Sequence, residues 1–231
     1  MKEINDFKQV KSYLSAHQIE SIFNEQILPH LSLYSFEQGE FICSQGEASQ
    51  YLYVLVKGKI KVYTTSAEGR TLILSFKTPL EVIGDIEYVQ DINIINTVEA
   101  VSSVHMIGVQ YQWLRKYGRN HAPLLQFLLD IITQKFHLKT NSMSFNLLYP
   151  VEVRFASYLL SVSFNESDSL NKEQLRISIK DAANFIGTSY RHLNRVIGQF
   201  CTEGLIERSN GFILVKDREG LRALAGDNIY E

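Results

Sequence analysis

Between Pro123 and Pro150 the chain runs without a glycine or a second proline, and Leu124, Leu125, Leu128, Ile131, Ile132, Phe136 and Leu138 recur three and four residues apart. That spacing is the period of an α-helix, and a stretch of this length extends roughly 40 Å at 1.5 Å per residue. Pro123 suits the first helical turn, where its missing N–H costs nothing, and Pro150 closes the segment. Apolar residues fill more than one stripe, so the helix can face its own neighbouring domain on one side and a second copy of itself on the other. Lys135 and Lys139 interrupt that seam. A helix of this kind divides the chain, and the boundaries expected are 1–117, 118–149 and 150–231.

Upstream the periodicity is different. Ile19, Ile22, Phe23 and Ile27 keep helical spacing and read as small capping helices, but from Leu33 to about Gln110 short apolar runs alternate with turns. Phe41-Ile42, Tyr51 to Val56, Ile60 to Tyr63, Thr71 to Phe76, Val82-Ile83 and Val104 to Val109 are the runs. Gly39, Gly46, Gly58 and Gly69 punctuate them where tight turns call for glycine. Short strands at regular spacing predict an antiparallel sandwich or roll of about eight strands.

Downstream of the long helix, Val151, Phe155, Leu159 and Leu160 mark another amphipathic helix, followed by a polar loop from Phe164 to Asn171. Two short helical patterns then flank Gly187. Ala182, Ala183 and Ile186 are small or apolar where two helices must cross; Gly187 permits the turn; Ser189 can cap the next helix. Leu193, Val196 and Ile197 supply that helix with a buried face, leaving Tyr190, Arg191, Asn194 and Arg195 on the other, with His192 beside them. Such side chains can donate to base edges and phosphates from the start of a recognition helix. Glu207 to Val215 reads as a hairpin turning at Asn210-Gly211, a wing.

The whole chain has a formal net charge of -2, so no global attraction to nucleic acid is expected. From Gln174 to Lys216, however, six Lys and Arg face three Asp and Glu, a local balance of +3. Nothing resembling a signal peptide or a membrane span is visible, and the two cysteines, Cys43 and Cys201, make no C-x-x-C pair. A cytoplasmic protein without a membrane, metal or cofactor is expected, with Cys43 as a small buried hydrophobe in a strand.

Taken together, these motifs resemble the Crp/Fnr family of bacterial transcription regulators from about Ser21 to Leu221. Tyr51 to Val62 and Glu68 to Leu74 look like the family's signature strands, Val82-Ile83-Gly84-Asp85 stands in the place of its phosphate-binding cassette, and Gly187 to Arg195 matches its recognition helix. The resemblance implies an α+β architecture: an N-terminal antiparallel β-roll of jelly-roll type, a long central dimerisation helix and a C-terminal winged helix-turn-helix. It also implies a homodimer on palindromic double-stranded DNA, and contact with RNA polymerase.

Departures from the family pattern narrow the effector. Cyclic-nucleotide-binding members follow Gly-Glu with an arginine that neutralises the cyclic phosphate, whereas Gly84 to Thr97 contains no arginine. A phosphate buried there without a cation is costly, so cyclic AMP and cyclic GMP are not expected as ligands. Two isolated cysteines do not supply the four thiolates of the iron–sulfur branch. His17, His30, His105, His121 and His137 form no recognisable pair of haem ligands.

The expected DNA-binding set is Ser178, Lys180, Ser189, Tyr190, Arg191, His192, Asn194, Arg195, Ser209 and Asn210. An effector pocket, for an unidentified small molecule if there is one, is expected at Ile83, Gly84, Asp85, Ile86, Ile95, Asn96 and Thr97. The dimer seam is expected at Leu124, Leu128, Ile131, Ile132 and Leu138. Two other classes compete with a regulator: a cupin-like β-barrel enzyme, which needs a His/Glu ligand cluster where the β-region offers only His105, and a binding module whose helical domain contacts proteins.

Overall fold

A computed structural model describes residues 1–4, 6–69, 71–163, 174–175, 178–209 and 212–226. Two compact units result, Met1–Phe136 and His137–Glu231.

In the first unit, β1 (Lys2–Ile4) leads to helix α1 (Phe7–Ala16), whose N-terminus is capped by the Asp6 carboxylate accepting from the Lys8 and Gln9 amides. Strands β2 (Ser32–Phe36), β3 (Phe41–Cys43), β4 (Tyr51–Lys57), β5 (Ile60–Thr65), β6 (Thr71–Lys77) and β7 (Glu81–Ile83) follow. Helix α2 (Asp85–Gln90) then precedes β8 (Thr97–Ala100) and β9 (Val104–Gln110). Two antiparallel sheets form, ordered β1-β2-β9-β4-β7 and β3-β8-β5-β6. The predicted roll is therefore present, with one more strand than expected. The added strand is Lys2–Ile4, which pairs along β2 at the edge of the sheet (Ile4 opposite Leu33). Three mostly exposed residues carry no apolar period to betray it.

Between the sheets lie Phe36, Tyr53, Leu55, Ile60, Val98 and Met106. A second core, with Leu33, Leu52, Val54 and Ile107 on one side and Val10, Leu14 and Ile27 on the other, packs the larger sheet against the N-terminal helices. A short helix α3 (Tyr111–Trp113) runs into a π-type turn, Leu114–Gly118, and then into α4 (Ala122–Leu148), which spans the boundary of the two units. Pro123 is the second residue of α4, and Pro150 separates it from α5 (Val151–Ser163), both as expected.

The second unit adds β10 (Gln174–Leu175), α6 (Ile179–Phe185), α7 (Tyr190–Thr202), β11 (Ile206–Ser209), β12 (Phe212–Val215) and α8 (Arg218–Ala225). Phe155, Leu159, Leu193, Val196, Ile197, Phe200 and Leu221 form its core, each at most 1% exposed. Its three strands pair in the order β10-β12-β11, with Ser209 opposite Phe212 at the hairpin end.

Candidate nucleic-acid interface

Helices α6 and α7 build the reader. The Ser178 hydroxyl accepts from the Asp181 amide at 3.2 Å and the Ser189 hydroxyl from the His192 amide at 3.1 Å, so each helix begins on a serine cap. Gly187 between them has φ +67°, a left-handed conformation that a side chain resists. Arg154 on α5 donates a guanidinium N–H to the Ile186 carbonyl at the end of α6, which pins the turn from below. No local pattern announces this contact, since Arg154 lies 32 residues before its partner.

Leu193, Val196, Ile197 and Phe200 anchor α7 in the core. Tyr190, 55% exposed, and the exposed Arg191 and Arg195 then point away from it, with Asn194 and His192 half-buried alongside. Among the described residues no carboxylate pairs with Arg191 or Arg195. Their charges are available to an anion, and a row of such donors at the start of a helix is what phosphates and base edges require. Ser178 and Lys180 lie exposed at the start of α6, and Ser209 is exposed at the end of β11; Asn210 lies outside the described residues. Arg208, absent from the expected set, donates to the Asn194 side-chain carbonyl at 2.9 Å and so joins the wing to the reading face.

The expected effector residues do not make an open anion cradle. Gly84 has φ +87°, and a Cβ there would stand 2.4 Å from the Tyr51 carbonyl and 2.7 Å from the Tyr111 hydroxyl, so nothing larger fits. Asp85, 2% exposed, and Glu81 turn to Lys135, which reaches in from α4. The Lys135 Nζ lies 2.9 Å from both Asp85 carboxylate oxygens, 2.9 Å from Glu81 and 2.5 Å from the Val82 carbonyl. Burial alone pulls Lys135 down, but the Asp85 and Glu81 carboxylates outweigh it and hold its ammonium above the ordinary range.

The buried Glu87 carboxylate accepts from the Ile95 amide at 3.0 Å. Ile83 belongs to the inter-sheet core, Ile86 is half-buried, the Asn96 carbonyl accepts from the Cys43 thiol at 3.8 Å, and the Thr97 hydroxyl accepts from the Gln45 amide at 3.1 Å. Burial, with Glu87 nearby, pushes the Cys43 thiol up to about 12, which keeps it neutral and a poor nucleophile. The histidines are engaged locally: His105 with Tyr13, His17 with the Val56 carbonyl, His30 stacked on Trp113, His121 with the Ser21 carbonyl and His137 with Asn141.

Along α4 the expected seam splits. Leu124 and Leu128 are 0% and 3% exposed in the core of their own β-unit, and Ile131 packs against it, so these three face inward. Ile132 and Leu138 are half-buried. The outward row is instead Leu125, Leu129, Phe136, Met143 and Leu147, 45% to 75% exposed. Adjacent leucines one residue apart sit about 100° apart on a helix, and apolarity alone does not say which of them meets the sheet. Among the described residues no helix is long and apolar enough to cross a membrane.

A β-roll followed by a winged helix-turn-helix with an unpaired cationic reading face defines a transcription regulator. A cyclic nucleotide-binding domain model matches residues 33–121 and a Crp-like helix-turn-helix domain model matches 153–224. A regulatory protein, YeiL, from Escherichia coli O157:H7 is 27% identical over 210 residues, covering 89% of this chain and 93% of the relative. An anaerobic regulatory protein from Haemophilus influenzae is 22% identical over 197 residues, covering 83% and 76%. A solved regulator of the same family from Eubacterium rectale superposes with a TM-score of 0.79 at 20% identity, over 89% of this chain and 96% of that one, and shares the fold. The chain belongs to the Crp/Fnr family of transcription regulators. Its relatives are regulators rather than enzymes, which sets aside the cupin-like reading.

Proposed function

We propose that this regulator acts as a cytoplasmic homodimer that places two α7 helices in successive major grooves of a palindromic site, about 34 Å apart. The single observation that carries this reading is the exposed face of Tyr190, Arg191 and Arg195, cationic and, among the described residues, without a carboxylate partner, on a helix whose other face is buried. Arg191 and Arg195 contact guanine or phosphate. Tyr190 and Asn194 add base-edge contacts; Ser178, Lys180, Ser189, His192, Ser209 and Asn210 hold phosphates. Dimerisation runs along the outward row of α4, joined by Ile132 and Leu138, within a central segment 118–149 that separates the sensor (1–117) from the reader (150–231). Contact with RNA polymerase is part of the proposal by analogy with the family.

The effector, if one acts, is not a cyclic nucleotide. A cyclic phosphate at Gly84 to Thr97 meets the Asp85 and Glu87 carboxylates, while the cation that reaches Asp85, Lys135, is already neutralised by Asp85 and Glu81. Gel-shift titration tests the reader. Arg191→Ala weakens specific binding by about 1–3 kcal/mol, and unchanged affinity removes Arg191 from the interface.

A further inference from the structure

On the DNA-reading role proposed above rests a second assignment. The hairpin register places Arg208 opposite Ile213, which is 1% exposed. Cross-strand partners share one face of a sheet, so the Arg208 stem leaves the wing on the side turned to the core and α7. Its guanidinium then crosses to Asn194, whose Oδ1 accepts from Arg208 Nη1 at 2.9 Å, while Asn194 Nδ2 donates to the Tyr190 carbonyl at 3.0 Å. Both ends of this amide are therefore engaged within the protein. An asparagine that reads adenine needs the two ends together, its oxygen accepting from N6 and its nitrogen donating to N7.

We infer that Arg208 is a specificity-setting positioning residue: by holding Asn194 Oδ1 it withdraws the acceptor, leaves Asn194 a donor only, and disfavours adenine at the base pair this residue faces. The wing thus contributes to sequence choice through the recognition helix. Glu207, next to Arg208, is paired with Lys216 at 3.2 Å, and the Arg208 guanidinium turns to Asn194 instead.

Selection of binding sites from a randomised duplex pool by the full-length protein tests this, with Arg208→Met, Arg208→Lys, Asn194→Ala and the Arg208→Met/Asn194→Ala pair alongside. Both Arg208 variants are expected to gain adenine at one position of each half-site by about fivefold or more, the low end of what a bidentate amide–adenine contact is worth, with the other positions unchanged. Arg208→Lys keeps the charge, so its shift separates positioning from phosphate attraction. In the Asn194→Ala background the Arg208 substitution is expected to change no preference. A uniform loss of affinity with the same preferences, or a shift that survives Asn194→Ala, overturns the inference while leaving the DNA-reading role intact. Absence of any sequence preference in the unaltered protein overturns both.

Discussion

Lys135 carries its charge where charge is costly. Asp85 at 3% side-chain exposure and Glu81 at 9% both face this ammonium at 2.9 Å, and Lys77 adds a second cation to Glu81 at 3.1 Å. Lys135→Met therefore strands Asp85, and about 3 kcal/mol of stability or more is expected to be lost in urea unfolding. Adding Asp85→Asn to the same chain is expected to restore much of it, because a neutral amide needs no counter-ion. Since the folded protein holds Lys135 above its ordinary value, the contribution is full at neutral pH and fades only as alkaline solution passes the raised value. A stability profile that weakens between pH 6 and 8 on account of this lysine contradicts the cluster as drawn. In sequence, Lys135 reads as an interruption in an apolar helix face; its partners lie about fifty residues away, and no local pattern joins them.

At the scale of elements, α7 depends on its cap and its buried stripe. Ser189→Ala leaves the His192 amide without its acceptor and is expected to cost about 1 kcal/mol, seen as a lowered melting temperature with little change in base preference. A loss of sequence preference with full stability is the opposite result, and places the hydroxyl on a base edge instead of at the cap and a phosphate. Most of this unit was legible in advance: Gly187, Ser189 and the spacing of Leu193, Val196 and Ile197 are local signals, and local geometry is what a periodic pattern encodes. The strands with long apolar runs were equally legible. β8 escapes that signal, because Thr97-Val98-Glu99-Ala100 is short and carries only two inward residues, and β1 carries one. In α4 the pattern announces a helix with two apolar faces. Which face the sheet takes is decided by packing, as Leu124 and Leu128 against Leu125 and Leu129 demonstrate.

For the whole molecule, the outward row of α4 exposes Leu129 at 58%, Met143 at 62% and Leu147 at 75%, more apolar surface than an isolated helix face comfortably leaves in water. Leu129→Glu is expected to convert a dimer to a monomer in sedimentation while leaving the thermal unfolding of the β-roll in place, since this side chain is not part of its core. A variant that stays dimeric moves the interface off this row. Duplication of the reader is tested by an anisotropy titration of the protein on its selected site, presented once as the intact palindrome and once as a single half-site. A dimer bound tightly to the palindrome, at least tenfold weaker binding of the half-site, and a steep fall of both with salt are expected. Equal affinity for the two duplexes, or one protein chain bound per palindrome, contradicts a duplicated reader.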